Sequence, residues 1–147
     1  MSRTKVTVPD LAEAGPGLWS NCIRAGDLLF MSGQVARPFE GGTTLVGSNE
    51  YEQTRQIFLR IKRVCEAAGG SLDDIVKMTI YMVNIKQNTE VWRARQEFFT
   101  GDFPCSTLVE VRSLATPEIL VEIEVIACLG AGKREEPPRK SVGFRKD

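Results

Sequence analysis

Apolar residues along this chain fall into short runs separated by glycine- and proline-containing breaks, with two longer stretches of helical period between them. Residues 17–24 and 27–35 are two apolar runs joined by Ala25-Gly26-Asp27, which predicts a β-hairpin. The second run turns from Leu28-Leu29-Phe30-Met31 to Ser32-Gly33-Gln34, so Gly33 marks a strand end, a bulge, or a place where backbone approaches a ligand. Residues 37–48, rich in Gly, Pro and Thr, read as a loop. A helix is predicted from about Asn49 to Ala68, with Asn49 and Glu52 as a capping box and Gly69-Gly70 as the stop. Its apolar stripe is Tyr51, Phe58, Ile61, Cys65 and Ala68, opposite Arg55, Lys62, Arg63 and Glu66.

Ile75–Val83 alternates as a strand, with Val76, Met78, Ile80 and Met82 on one face and Lys77, Thr79 and Tyr81 on the other. A second helix is predicted from about Thr89 to Phe99, capped by Asn88 or Thr89. Its buried side carries Val91, Ala94 and Phe98, extended by Trp92 and Phe99. Strands at 105–113 and 120–129 complete the order β-β-α-β-α-β-β, with a further strand possible near Lys5–Val8. Two helices covering one face of a sheet bury such a pattern naturally.

The other face is not polar enough for water. In the last strand Val121, Ile123, Val125, Ala127 and Leu129 form one side, and Leu120, Glu122, Glu124, Ile126 and Cys128 the other. Both sides are largely apolar, whereas a solvated antiparallel sheet alternates more cleanly. A second copy of the chain would cover that face, so a homo-oligomer is expected. The expected division is one domain, 1–131, followed by a polar, proline-containing tail, 132–147, that alone reads as disordered or is pinned against a neighbouring subunit.

With 147 residues, the chain has room for one domain with a real core. Nineteen Lys and Arg balance nineteen Asp and Glu, which gives no electrostatic reason to expect nucleic acid or an anionic membrane as partner. The basic residues of the tail are diluted by Glu135, Glu136 and Asp147, which disfavours a nucleic-acid arm. No apolar run suits a signal peptide or a bilayer span, and Cys22, Cys65, Cys105 and Cys128 have no paired C-x-x-C spacing. Reduced thiols in a cytoplasmic protein are expected, with Cys65 in the core. There is no histidine, which removes imidazole as metal ligand, base or shuttle and makes a hydrolytic zinc site a poor reading. No metal is expected. Proton transfer near neutral pH falls to carboxylate, thiol, phenol, amine or water.

Glu122 and Glu124, two apart on one strand, leave the same face. Each either forms a salt bridge, to Arg112 or Lys77, or sits at an exposed strand end. For Glu122 the equal alternative is a carboxylate that positions or activates water, its pKa raised by burial. Cys105, Ser106 and Thr107 follow Pro104. Without histidine to activate them they suit hydrogen bonding to a ligand better than nucleophilic attack. Trp19 and Trp92 either wall a pocket or fill the core.

Phe30-Met31-Ser32-Gly33-Gln34, the segment from Cys65 through Lys77, Glu97-Phe98-Phe99, and the stretch from Phe103-Pro104 to Glu124 resemble the Rid (YjgF-like) superfamily, over about residues 15–130. The resemblance implies an α/β (α+β), chorismate-mutase-like fold, a barrel-like homotrimer, and small-molecule clefts between subunits. It also implies cofactor-independent hydrolysis of reactive enamines and imines to ketoacids and ammonia. In such enzymes Phe-Pro is followed by a small residue, an arginine that grips the substrate carboxylate, and a serine or threonine. Here Cys105 fits, Ser106 stands at the arginine position, and Thr107 follows. Glu122 takes the place of the water-positioning glutamate, Trp19 that of an aromatic more usually tyrosine, and Gly33, beside Ser32, that of the glycine facing the ligand. Trp92 replaces a position often polar, and the turn before Glu122 is one residue longer.

A serine cannot make a bidentate clasp, and two tryptophans favour a larger, flatter ligand such as an aromatic or ring-cleavage metabolite. The resemblance therefore leads to a hydrolase or deaminase of an imine, enamine or related compound. A non-catalytic trimer binding a metabolite or partner is the alternative. Ribonuclease activity, attached to some relatives, is least favoured by the neutral charge and missing histidine.

Overall fold

The computed structural model describes residues 2–133; expectations for the tail beyond Lys133 lie outside the described residues. The elements run β1 (Arg3–Lys5), β2 (Cys22–Ala25), β3 (Leu28–Met31), α1 (Glu50–Ala67), β4 (Ile75–Met82), α2 (Asn88–Gln96), β5 (Cys105–Glu110) and β6 (Val121–Cys128). They form one six-stranded sheet in the order β1-β2-β3-β6-β4-β5. All pairs are antiparallel except β4 with β5, whose parallel pairing requires the crossover that α2 supplies. This mixed α+β architecture follows the expected order. No helix among the described residues is long and apolar enough to cross a membrane.

The hairpin turns at Gly26, whose φ of 61° suits a residue without Cβ. Leu29 and Met31 then point into the core, while Leu28 and Phe30 stay exposed. In β6 the buried set is Val121, Ile123, Val125 and Ala127, packed with Met78, Ile80 and Met82 of β4 and with Ile57, Phe58, Ile61 and Val64 of α1. Phe58 meets Phe98 and Phe99 with ring centroids 5.4 Å apart, which joins α1 to the end of the α2 segment. Among the described residues, the opposite face leaves Leu28, Phe30 and Val109 exposed and Ile126 half-covered, and β5 forms an unpaired edge. A surface of this kind is the one the sequence pattern anticipates as an interface between copies.

Several local expectations change. Asn49 does cap α1, its Oδ1 accepting from the Glu52 amide at 2.9 Å, but the Glu52 carboxylate accepts from the Ser48 amide instead of from Asn49. The buried side of α1 includes Gln53, Thr54, Gln56 and Arg60. Tyr51, expected in the apolar stripe, sits half-exposed and donates to Glu97 at 2.6 Å. Val76 is exposed because a bulge between Ile75 and Lys77 rotates it out of the alternation. Neither Asn88 nor Thr89 caps α2: Gln87 occupies the cap without a side-chain bond, and Asn84 caps a preceding 3-10 turn. Cys65 is fully buried, and burial pushes its thiol up to about 12, so it is a core residue.

Candidate functional site

A second bulge builds the centre of the site. Phe30 pairs with Ile126, but the next pairing along the same two strands is Gln34 with Ile123. That interval is four residues on one side and three on the other, so one extra residue is accommodated around Ser32-Gly33. Gln34 and Ile123 exchange backbone hydrogen bonds at 2.8 and 3.1 Å, which fixes the far end of the bulge. Ser32 is held from the other direction, its amide on the Asn21 carbonyl at 3.0 Å and its hydroxyl on the Ser20 carbonyl at 2.7 Å.

Glu122 lies over this bulge. A Cβ built on Gly33 would collide with the Glu122 carboxyl, so the carboxyl rests against bare backbone. Burial, followed by the neighbouring charge of Glu124, raises the Glu122 pKa above the usual carboxylate value. Among the described residues no Lys or Arg pairs with it, so the salt bridges considered for Glu122 with Lys77 or Arg112 do not form. Lys77 instead donates to the Thr107 hydroxyl at 2.7 Å. Glu124 is bound differently, accepting from the Tyr81 hydroxyl at 2.7 Å, and that bond is the main reason the Tyr81 pKa rises. Glu122 thus combines a raised pKa with no fixed side-chain partner among the described residues.

Trp19, Ser32 and Glu124, with Phe30, line an open groove of about 780 Å³ on the same face. Trp19 is 59% exposed, so it is a wall and not core. Cys105, Ser106 and Thr107 lie two strands away on β5, beyond β4. All three are exposed on that edge. Register puts Ser106 opposite Met78, whose side chain is in the core, and Thr107 opposite Thr79 on the open face. Trp92 is 41% exposed on α2, on the helical side. One copy therefore sets Glu122 on Gly33 and places Trp19 and Ser32 with Glu124 along the groove, while the β5 trio and Trp92 stand apart.

Two groups outside the sequence-predicted set emerge. Tyr81 restrains Glu124 and leaves Glu122 as the unbound member of the pair. Arg95, near the end of α2, donates from Nη1 to the Ser106 hydroxyl at 2.9 Å. Its place eleven residues before Ser106 gave no local signal; only the α2-to-β5 crossover brings the two together.

The family model described as Endoribonuclease L-PSP matches residues 12–129. A solved Rid-family protein of unknown function from Yersinia pestis superposes with a TM-score of 0.79 at 33% identity, covering 87% of this chain and all of that one. This chain belongs to the Rid superfamily. A RutC family protein of Pyrococcus horikoshii is 36% identical over 111 residues, covering 76% of this chain and 86% of the relative. A 2-iminobutanoate/2-iminopropanoate deaminase of Salmonella typhimurium is 32% identical over 130 residues, covering 86% of this chain and 98% of that enzyme. Relatives of this chain thus include proteins named as deaminases of 2-iminobutanoate and 2-iminopropanoate.

Proposed function

We propose that this Rid-superfamily chain hydrolyses a small imine or enamine, without a cofactor, in clefts between the subunits of a cytoplasmic homotrimer. The observation that carries this reading is the Glu122 carboxyl, with its raised pKa and no cation partner among the described residues, lying on the bare backbone of Gly33. In this mechanism ionised Glu122 orients a water and accepts one of its protons as the water oxygen bonds to the imine carbon. That proton passes to the nitrogen, giving a carbinolamine; its hydroxyl proton then passes to the same nitrogen as the C–N bond breaks, and a ketone and ammonia leave. An enamine enters the same route after protonation at carbon. No electrons are transferred, so the reaction needs no redox group.

Ser32, the Gly33 backbone and Trp19 would hold the ligand from one copy, and Cys105, Ser106, Thr107 and Trp92 from its neighbour. The exposed apolar face around Phe30 and the β5 edge, unpaired among the described residues, support assembly of copies through those surfaces. Four free cysteines support a reducing compartment. The family description names ribonuclease activity, but zero net charge and the absence of histidine give little support to RNA cleavage here.

The test is ammonia release from a panel of aliphatic and aromatic imines, made in situ from amino acids by an oxidase. Glu122→Gln should lower kcat by about 100-fold or more. Failure of the wild type to accelerate hydrolysis of every imine would leave a metabolite-binding trimer as the better reading.

A further inference from the structure

We propose that Arg95 binds a carboxylate of the ligand and that Ser106 positions its guanidinium for that contact. Several arginines of this fold, Arg24, Arg55 and Arg93 among them, have a carboxylate to meet. Arg93, two residues earlier on α2, pairs with Glu90 at 2.6 Å, and Arg55 pairs with Glu97 at 2.7 Å. Buried Arg60 is held by Gln34 and by the carbonyls of Arg37 and Pro38. Arg95 differs from these. Among the described residues it has no carboxylate within ion-pairing distance and one hydrogen-bond acceptor, the Ser106 hydroxyl. Its Nε is closed off from solvent without an acceptor, and the group stands 5.7 Å from the centre of the Phe103 ring.

That arrangement costs free energy, because a partly desolvated cation is being held without a counter-ion. Burial lowers the Arg95 pKa, in line with that cost. The same arrangement is suited to receive an anion. Phe103 and Ser106 restrict the guanidinium from two sides, and its outer Nη1/Nη2 edge can present two parallel donors to a carboxylate. Ser106 contributes twice. Its oxygen accepts from Arg95, which leaves its own O–H to donate to the same carboxylate.

Arg95 approaches from the helical side of the sheet and Glu122 projects from the other, with their strands separated by β4. Two strand spacings across and three residues along put Ser106 and Glu122 about 14 Å apart. A small oxo or imino acid cannot touch both within one copy. Arg95 of one copy would complete a site whose Glu122 comes from the next. The inference rests on the hydrolase reading for the identity of the substrate, but binding of a carboxylate tests it independently.

The test titrates pyruvate and its methyl ester into the intact protein by ligand-observed NMR, using wild type, Arg95→Gln, Arg95→Lys and Glu122→Gln. Thermal melts confirm that each variant is folded and of unchanged oligomeric state. Arg95→Gln should weaken pyruvate on the order of 10- to 100-fold, while Arg95→Lys recovers part of the affinity. Glu122→Gln should retain pyruvate, and the ester should bind wild type and Arg95→Gln alike. If no imine is turned over but Arg95→Gln alone loses pyruvate, the hydrolase reading falls and Arg95 keeps its role. If folded Arg95→Gln binds pyruvate as the wild type does, or the ester binds as tightly as the acid, Arg95 is not the carboxylate site, whatever the turnover.

Discussion

The Glu122 carboxyl lies against Gly33 so closely that no side chain fits between them. The contact comes from the bulge between the Phe30–Ile126 and Gln34–Ile123 pairings, which gives residue 33 a place facing the β6 carboxylate. Gly33→Ala would put a methyl group onto the carboxyl and force one of them to move. The expected cost is about 1–3 kcal/mol of stability, as for overpacking elsewhere. If the clash is with Glu122 in particular, Glu122→Ala in the same chain should recover most of the loss. Urea unfolding of the two single variants and the double variant measures that coupling.

The pH dependence separates Glu122 from Glu124. Burial raises the Glu122 pKa and the Glu124 charge raises it further, so the acid limb of the hydrolysis rate should lie above the ordinary carboxylate range. Glu124→Gln removes the second cause and should move that limb to lower pH. A limb that stays in place would mean that another group controls it.

Folding stability carries the same sign. A carboxyl with a raised pKa in the folded state favours folding when protonated, and that contribution disappears as pH rises through the folded value. Glu122→Gln should therefore raise Tm relative to wild type near neutral pH. The advantage should vanish below the unfolded glutamate pKa of about 4.3. Melting both proteins across this range checks it.

Alternation and breaks revealed the strand order because period-2 burial is local: β6 alternates buried and half-buried residues along its whole length. At Gly33 the sequence left a strand end, a bulge and a ligand approach open, since Ser-Gly-Gln interrupts an apolar strand, and the pairing shows the bulge. The buried polar side of α1 was not. Gln53, Gln56 and Arg60 are polar in sequence and become interior only because they bind loop carbonyls from distant segments. Val76 was misplaced by a bulge that has no glycine to announce it. The candidate site was legible only in part: Glu122 lies on Gly33 and Trp19 shares a groove with Ser32, but Arg95 reaches Ser106 through a crossover that sequence periodicity does not encode.

Gln53 gives a direct measure of what those buried polar contacts contribute. It is 1% exposed, donates to the Gly47 and Glu118 carbonyls at 3.3 and 2.9 Å, and accepts from the Leu120 amide at 2.9 Å. Gln53→Leu keeps most of the volume but leaves these backbone groups without their partner, so it should cost about 2–4 kcal/mol. Because Leu120 immediately precedes β6, the substitution should also loosen the approach to Glu122. Hydrogen exchange at the Leu120 amide should speed up more than at the Val125 amide in the middle of the strand.

Asp74 ties the end of β6 back to the turn before β4. Its Oδ1 accepts from the Gly130 and Gly132 amides at 3.1 and 2.9 Å, and its Oδ2 accepts from the Ser71 amide at 3.0 Å. One buried carboxylate thus satisfies three backbone donors, two of them in the segment that leaves the last strand. Asp74→Ala should cost about 2–4 kcal/mol, because charge-assisted bonds are lost and buried amides are left without an acceptor. Asp74→Asn should be milder, since its amide oxygen can still accept at one side, though its NH2 then faces a backbone donor. If the carboxylate anchors residues 130–132, both variants should expose the Gly130 and Gly132 amides to exchange before the Ile80 and Ile123 amides in the sheet respond. Equal acceleration at all four would mean that Asp74 supports the whole fold instead of this one junction.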